Sequence, residues 1–215
     1  SEQNSILHVH ELESIIRQNQ LHDIINDILI DKYVAVSDLV RDNLMTNYNI
    51  EAGRIAKVRE YIDLNDWKMS GEYKKTNPKF IVAGIGYAHW RKGVELFVLV
   101  AYEVLNQRKQ DEFEFWWIGE ISENDYLFYM EDLKKLGIES RCRFLKEQPN
   151  MYQLYPEIDV LAITSREDPY PTVALEAGLH SIPFVCWNEG IGTAELVKEN
   201  CGISVDYFDT KAMAE

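Results

Sequence analysis

Two acids, Asp168 and Glu176, stand with seven residues between them in the segment SREDPYPTVALEAGLH, and their surroundings call for polar partners. Glu176 lies among Val173, Ala174, Leu175, Ala177, Gly178 and Leu179, a run that predicts a helix apolar nearly all round and therefore buried. A carboxylate on such a helix is costly unless something polar meets it, which marks it as a site candidate. A ligand hydroxyl would do so, and so would a structural cation such as Arg166. Asp168 falls in the loop before that helix, at the carboxyl end of a predicted strand, and aims at the same crevice; an ordinary helix cap is the plainer reading. Pro169 and Pro171 stiffen the loop, and Thr172 opens the helix, whose free amides attract anions and hydroxyls.

Two further loops have matching chemistry. In IVAGIGYAHWRKGVELF a buried run ends in Gly84 and Gly86, and Arg91 and Lys92 precede Gly93 and an apolar helix. Glycines after a parallel strand permit close approach of a ligand, so this is where a phosphate belongs. The third glycine of a dinucleotide fingerprint would fall on His89, and no Ser or Thr follows Lys92 as in a P-loop. A solvated pair of cations is the plain alternative for Arg91 and Lys92. In WNEGIGTAELV, Gly190 and Gly192 expose the amides of Ile191, Gly192 and Thr193 at a helix start, which reads as an anion nest or as a simple capped turn. Three such loops at the ends of successive strands would converge on one crevice.

The elements that must position these loops alternate in type. Apolar runs predict strands at Ser5 to His10, Tyr33 to Ser37, Ile55 to Arg59, Lys79 to Gly84, Glu114 to Ile118, Cys142 to Leu145, Val160 to Thr164, Pro183 to Trp187 and Gly202 to Val205. Between them, helices are expected at Ser14 to Leu29, Ser37 to Tyr48, Gly93 to Asn106, Glu123 to Leu136, Thr172 to Leu179, Thr193 to Glu199 and from Thr210. This is the pattern of an α/β protein with a Rossmann-like, doubly wound parallel sheet. Polar and turn-forming residues over 61–77 predict a linker, which divides a small unit, 1–60, from a larger one, 78–215. The small unit has too little sheet to stand as a domain of its own, and the chain stops within a helix at KAMAE, so a piece of a longer protein is expected.

Composition narrows the function. A net charge of -14, from 22 Lys and Arg against 36 Asp and Glu, argues against nucleic acid as a partner and makes any cluster of cations stand out. There is no apolar run long enough to span a membrane and no signal-peptide start, which reads as soluble and cytoplasmic. Cys142, Cys186 and Cys201 match neither a zinc site nor a disulfide framework and are expected to be reduced core residues.

With Ser165 and Arg166 ahead of Asp168, and Ala177 after Glu176, the segment resembles the signature of family 4 glycosyltransferases: an acid, seven residues, then Glu-Ala, after a strand ending in Ser. Asp168 stands where Glu is commoner, and Pro169, Tyr170 and Pro171 where Gly, Phe and Gly are commoner, a version similar to that of many bacterial members. Gly86 to Gly93 is similar to the family's phosphate loop, with Lys92 in place and Tyr87 where an arginine is expected. The loop with Gly190, Gly192 and Glu195 resembles its diphosphate-binding segment. ILHVHELE and DKYVAVSDLVRDNL resemble the end of its acceptor domain, which carries His10 toward the reacting sugar.

The resemblance covers nearly all of the chain as the carboxyl part of a two-domain GT-B enzyme. It implies that 1–60 is the tail of the amino-terminal acceptor domain and that 78–215 is the nucleotide-sugar-binding domain, lacking its last helix. The implied activity is retaining, metal-independent transfer of a sugar from a nucleoside diphosphate sugar to a glycan or lipid-linked acceptor, in cell-surface polysaccharide assembly. No cofactor is implied, and any peripheral membrane contact would run through the missing amino-terminal part. Lys92, Arg91 and the amides after Gly190 would meet the diphosphate. Glu176 would meet the ribose, Asp168 and the backbone of Tyr170, Pro171 and Thr172 the transferred sugar, and the loop Leu145 to Tyr152 the base. Rival readings are a nucleotide-sugar epimerase, a phosphorylase, for which no pyridoxal-lysine motif is seen, and a noncatalytic GT-B-like module, for which Tyr87 is the main argument.

Overall fold

Three short runs, β1 (Ile6–Val9), β2 (Lys32–Ala35) and β3 (Ile55–Lys57), pair in parallel in the order β1-β2-β3. The structure, a computed structural model, describes residues 5–65, 74–108, 112–146 and 151–215. Two short helices, α1 (Glu13–Gln18) and α2 (His22–Ile25), lie between β1 and β2, and α3 (Asp38–Tyr48) follows β2. The Ser37 hydroxyl caps α3 by accepting from the Val40 amide at 3.2 Å, and Asn49, in the left-handed region, ends it.

The single helix expected over Ser14 to Leu29 is broken, and the sequence contains the reason. Ile16 is buried, but Gln20 and Asp23, four and seven residues on, would share its face in a straight helix. Instead Gln20 adopts φ 56°, Leu21 N donates back to Ile16 O at 2.9 Å, and the chain turns so that Ile25 and Ile30 reach the core.

The second sheet contains β4 (Phe80–Ile85), β5 (Phe113–Ile118), β6 (Cys142–Leu145), β7 (Val160–Ile163), β8 (Phe184–Trp187) and β9 (Gly202–Val205), all parallel, in the order β6-β5-β4-β7-β8-β9. β4 and β5 are apolar along most of their length because helices cover both faces of such a sheet. The strand order reverses between β4 and β7, and ligands of open sheets bind outside the carboxyl ends of strands at such a reversal. The connecting helices are α4 (Val94–Gln107), α5 (Glu123–Leu136), α6 (Thr172–Leu179) and α7 (Thr210–Ala214). The helix expected at Thr193 to Glu199 is wound as 3-10 over Gly192–Glu199. That winding rises about 2.0 Å per residue rather than about 1.5, between Gly192, held by the Asp168 carbonyl, and Asn200, turned at φ 62°.

Of the expected linker, 66–73 lie outside the described residues. Cys186 is buried, with its thiol pushed up to about 12 by burial, and Cys142 is half-buried. Cys201 is exposed, correcting its expected core position, because β9 is an edge strand. Among the described residues no helix is long and apolar enough to cross a membrane.

Gly192 joins the two sheets at close quarters: a Cβ there would lie 1.7 Å from the Pro169 carbonyl oxygen and 2.9 Å from the Ser37 hydroxyl. Gly192→Ala therefore forces backbone apart, a change worth about 1–3 kcal/mol. A melting temperature lower by about 2–4 °C per kcal/mol is expected in calorimetry.

Candidate functional site

At the reversal, Gly86 follows β4 and Thr164 and Ser165 follow β7. Gly86, at φ 143°, leaves space for the Lys92 side chain, whose Cε would lie 3.2 Å from any Cβ added there. Gly93, at φ 66°, is pressed against the Thr164 carbonyl, 2.2 Å from where a Cβ would sit, so the turn that delivers Lys92 requires glycine. The Lys92 ammonium donates to Asp168 Oδ2 at 2.5 Å, and the Ser165 hydroxyl approaches the same oxygen at 3.4 Å. The Asp168 backbone is gripped by the third loop: its amide donates to Gly190 O at 2.7 Å and its carbonyl accepts from Gly192 N at 2.8 Å. The Arg166 amide also donates to Arg91 O at 2.7 Å. The three loops thus meet at one point, and Asp168 is their common member.

Several side chains take other partners than the residue types suggested. Arg91 turns away from Lys92 to pair with Glu11 at 2.9 Å, across the seam between the two sheets. Arg166 pairs with Glu95 at 2.5 Å, donates to Trp90 O, and lies over the rings of Trp90 and Phe208. The Tyr170 ring is buried in the core of the small sheet, leaving its backbone for the crevice. The Gly192 amide, expected to be free in an anion nest, is spent on the Asp168 carbonyl. Ile191 is buried, and the Thr193 hydroxyl is buried without a hydrogen-bond partner among the described residues. Pro171 precedes α6 as its cap residue, and Thr172, the first helical residue, is exposed.

Glu176 is half-buried instead of enclosed, because only Ala174 and Ala177 of α6 are fully covered. Its partner is the Tyr155 hydroxyl at 2.6 Å, and not Arg166. Tyr87 is 54% exposed, with its ring stacked on His89. His10 follows β1, its Nδ1 2.7 Å from Glu60 Oε1 and its ring 4.1 Å from that of His8. The next residue, Glu11, holds Arg91, which brings the His10 end of β1 against the loop that carries Lys92. Sequence reasoning missed Tyr155, Glu11 and Glu60; each meets its partner over a distance along the chain that no local spacing encodes.

The gap beside the Lys92–Asp168 pair, which Trp117, Ser165 and Pro171 also help to line, holds only about 10 Å³. More space opens at the ends of β5 and β6, a recess of about 960 Å³ lined by Glu120, Ile121, Glu123, Tyr126, Leu127, Phe144 and Lys146. It adjoins the loop expected to take a base, of which 147–150 lie outside the described residues. Among the described residues no group of three or more His, Cys, Asp or Glu is arranged to hold a metal ion.

The family model described as "Glycosyl transferases group 1" matches residues 77–215. The amylovoran biosynthesis glycosyltransferase AmsD of Erwinia amylovora is 30% identical over 78 residues, 36% of this chain and 22% of that protein. The D-inositol 3-phosphate glycosyltransferase of Corynebacterium urealyticum is 34% identical over 89 residues, 40% of this chain and 21% of that protein. The matched segments thus span about a fifth of those relatives. Among solved structures, Anabaena Alr3699/HepE in complex with UDP and glucose superposes with a TM-score of 0.78 at 20% identity, over 99% of this chain and 60% of that one.

The seam beside the site contains one carboxylate that is poorly placed for its charge. Glu167 accepts from the Ser14 amide at 3.2 Å and from the Ser14 hydroxyl. Burial nevertheless raises its pKa above the ordinary 4.5, with Glu11 and Glu13 adding to the rise and Arg91 opposing it. A raised folded pKa means a stability contribution present below the ordinary value and lost as pH climbs through the folded one. Glu167→Gln, which cannot ionise, should lose less melting temperature than the parent between pH 4 and pH 7. Equal losses in the two proteins would refute the assignment.

Proposed function

This chain belongs to the group 1 glycosyl transferases, and we propose that it is the donor-binding part of a retaining enzyme that moves a sugar from a nucleoside diphosphate sugar to an acceptor hydroxyl. The acceptor would be a glycan or lipid-linked glycan, in cell-surface polysaccharide assembly, a reading supported by the likeness to the amylovoran biosynthesis glycosyltransferase. Residues 1–60 would be the tail of an acceptor domain and 78–215 the donor domain. The observation that carries the reading is the Lys92–Asp168 pair at the strand-order reversal, tied to the glycine loop through the Asp168 backbone.

Breaking the bond from sugar to diphosphate builds negative charge on the departing phosphates, and fixed positive groups aimed there give the largest catalytic term. Lys92 has three protons, so it can keep Asp168 on one and offer the others to phosphate oxygens, in place of a divalent metal. Asp168 and the backbone around Tyr170, Pro171 and Thr172 would hold the transferred sugar. Glu176 would accept from the ribose hydroxyls, and the recess at the ends of β5 and β6 would take the base. His10 would face the acceptor side. Ile191, Gly192 and Thr193 would act mainly by fixing Asp168, since the Gly192 amide is already bonded. Gly86 would let the phosphates approach the backbone.

A second reading, a nucleotide-binding module without turnover, is favoured by one observation. Tyr87 brings no charge and Arg91 is paired with Glu11, which leaves Lys92 as the cation bonded to Asp168. Calorimetric titration with UDP, GDP and ADP tests the common part of both readings. Lys92→Ala should weaken binding of the preferred nucleotide about tenfold or more, the value of a hydrogen bond to a charged group, and should also lower the melting temperature, because the buried Asp168 carboxylate loses its partner; affinities are therefore compared at a temperature where both proteins are folded. Equal affinity in the folded variant would remove Lys92 from the site. Nucleoside diphosphate release by the whole protein from a panel of nucleotide sugars separates the two readings, because a module without turnover releases none.

A further inference from the structure

Glu176 stands on α6 with three rotatable bonds between its backbone and its carboxylate, and nothing on its own helix holds that carboxylate in one orientation. Tyr155 does so from elsewhere in the chain. Its hydroxyl donates to Glu176 Oε2 at 2.6 Å, from a 3-10 turn, Tyr155–Glu157, between β6 and β7. The Tyr155 ring is fully buried in the main core and stacked on His180, with centroids 5.1 Å apart and 13° between the planes. The phenol is therefore fixed in position, while the carboxylate it meets is only half-buried.

We propose that Tyr155 is a positioning residue, which locks the Glu176 carboxylate in the plane needed to receive the ribose hydroxyls of the nucleotide. Burial, and secondly the charge of Glu176, push the phenol's pKa up, so it keeps its proton and donates across the working pH range. A carboxylate has about four lone-pair sites, so one bond from Tyr155 sets its orientation and leaves the others for the ligand. Preorganisation of this kind raises affinity by removing rotamer entropy from the binding step. The inference rests on Glu176 meeting the ribose.

The test measures recognition of the ribose hydroxyls in the chain as it stands. Affinities for UDP, GDP and ADP are compared with those for their 2′,3′-dideoxy counterparts, in the parent, Tyr155→Phe, Glu176→Gln and the double variant, at a temperature where circular dichroism finds all four folded. The parent should prefer the ribonucleotide by about tenfold or more, and Glu176→Gln should abolish most of that preference. Tyr155→Phe should reduce it several-fold in the parent and leave it unchanged in the Glu176→Gln background. Full preference in Tyr155→Phe beside its loss in Glu176→Gln overturns the role of Tyr155 and spares that of Glu176. Additive effects of the two changes also overturn it, because a residue that only supports the fold acts independently of Glu176. Unaltered preference in Glu176→Gln, or no nucleotide binding at all, overturns the reading of Glu176 and this inference together.

Discussion

Asp168 is held from three sides, and the local architecture depends on that arrangement. Its carboxylate, nearly removed from solvent, meets the Lys92 ammonium at 2.5 Å, and its amide and carbonyl bridge Gly190 O and Gly192 N. A buried charge without a partner is costly by several kcal/mol, so Lys92 and Asp168 constrain each other. The backbone pair then draws the loop after β8 against the loop after β7. Gly93 and Gly192 follow from this geometry, since each sits where a Cβ would strike a carbonyl oxygen. The loops after β4, β7 and β8 are therefore held together by contacts of the chain itself.

The rest of the chain's positive charge is distributed by a shortage. With 22 cations against 36 acids, an arginine or lysine near the site has several carboxylates competing for it. Arg91 goes to Glu11, while Lys57 and Arg59 gather on Glu195, with Asp38 and Glu199 beside it. The Lys57 hydrogen bond is the main reason the Asp38 pKa is lowered. These pairs line the seam between the two sheets, where the apolar contribution comes from Tyr170 and Leu175 reaching into the smaller core. A junction this rich in ion pairs resembles an interface between domains more than a continuous core. Not every buried acid belongs to the site. Glu114 is satisfied by Trp116, Lys79 and Arg143, and it lies at the amino-terminal end of β5, opposite the crevice.

Much of this was written in local patterns. Period and punctuation located nearly every strand and helix, the strand-loop-helix alternation implied the doubly wound sheet, and the glycines and the Asp168–Glu176 spacing located the three loops that meet. These features are legible because they record backbone direction and one-sided burial, which act over a few residues. Partner choice was decided elsewhere. Arg91 took Glu11 eighty residues away, Glu176 took Tyr155, and Glu195 took Lys57 and Arg59 from the other sheet. The expected long helix broke at Gln20 because a straight helix would have put Gln20 and Asp23 on the buried face of Ile16, and the amide of Gly192 was claimed by a carbonyl from another loop. Each of these choices of partner is a competition among groups far apart in sequence, settled by which of them the folded chain brings within hydrogen-bond distance and removes from water.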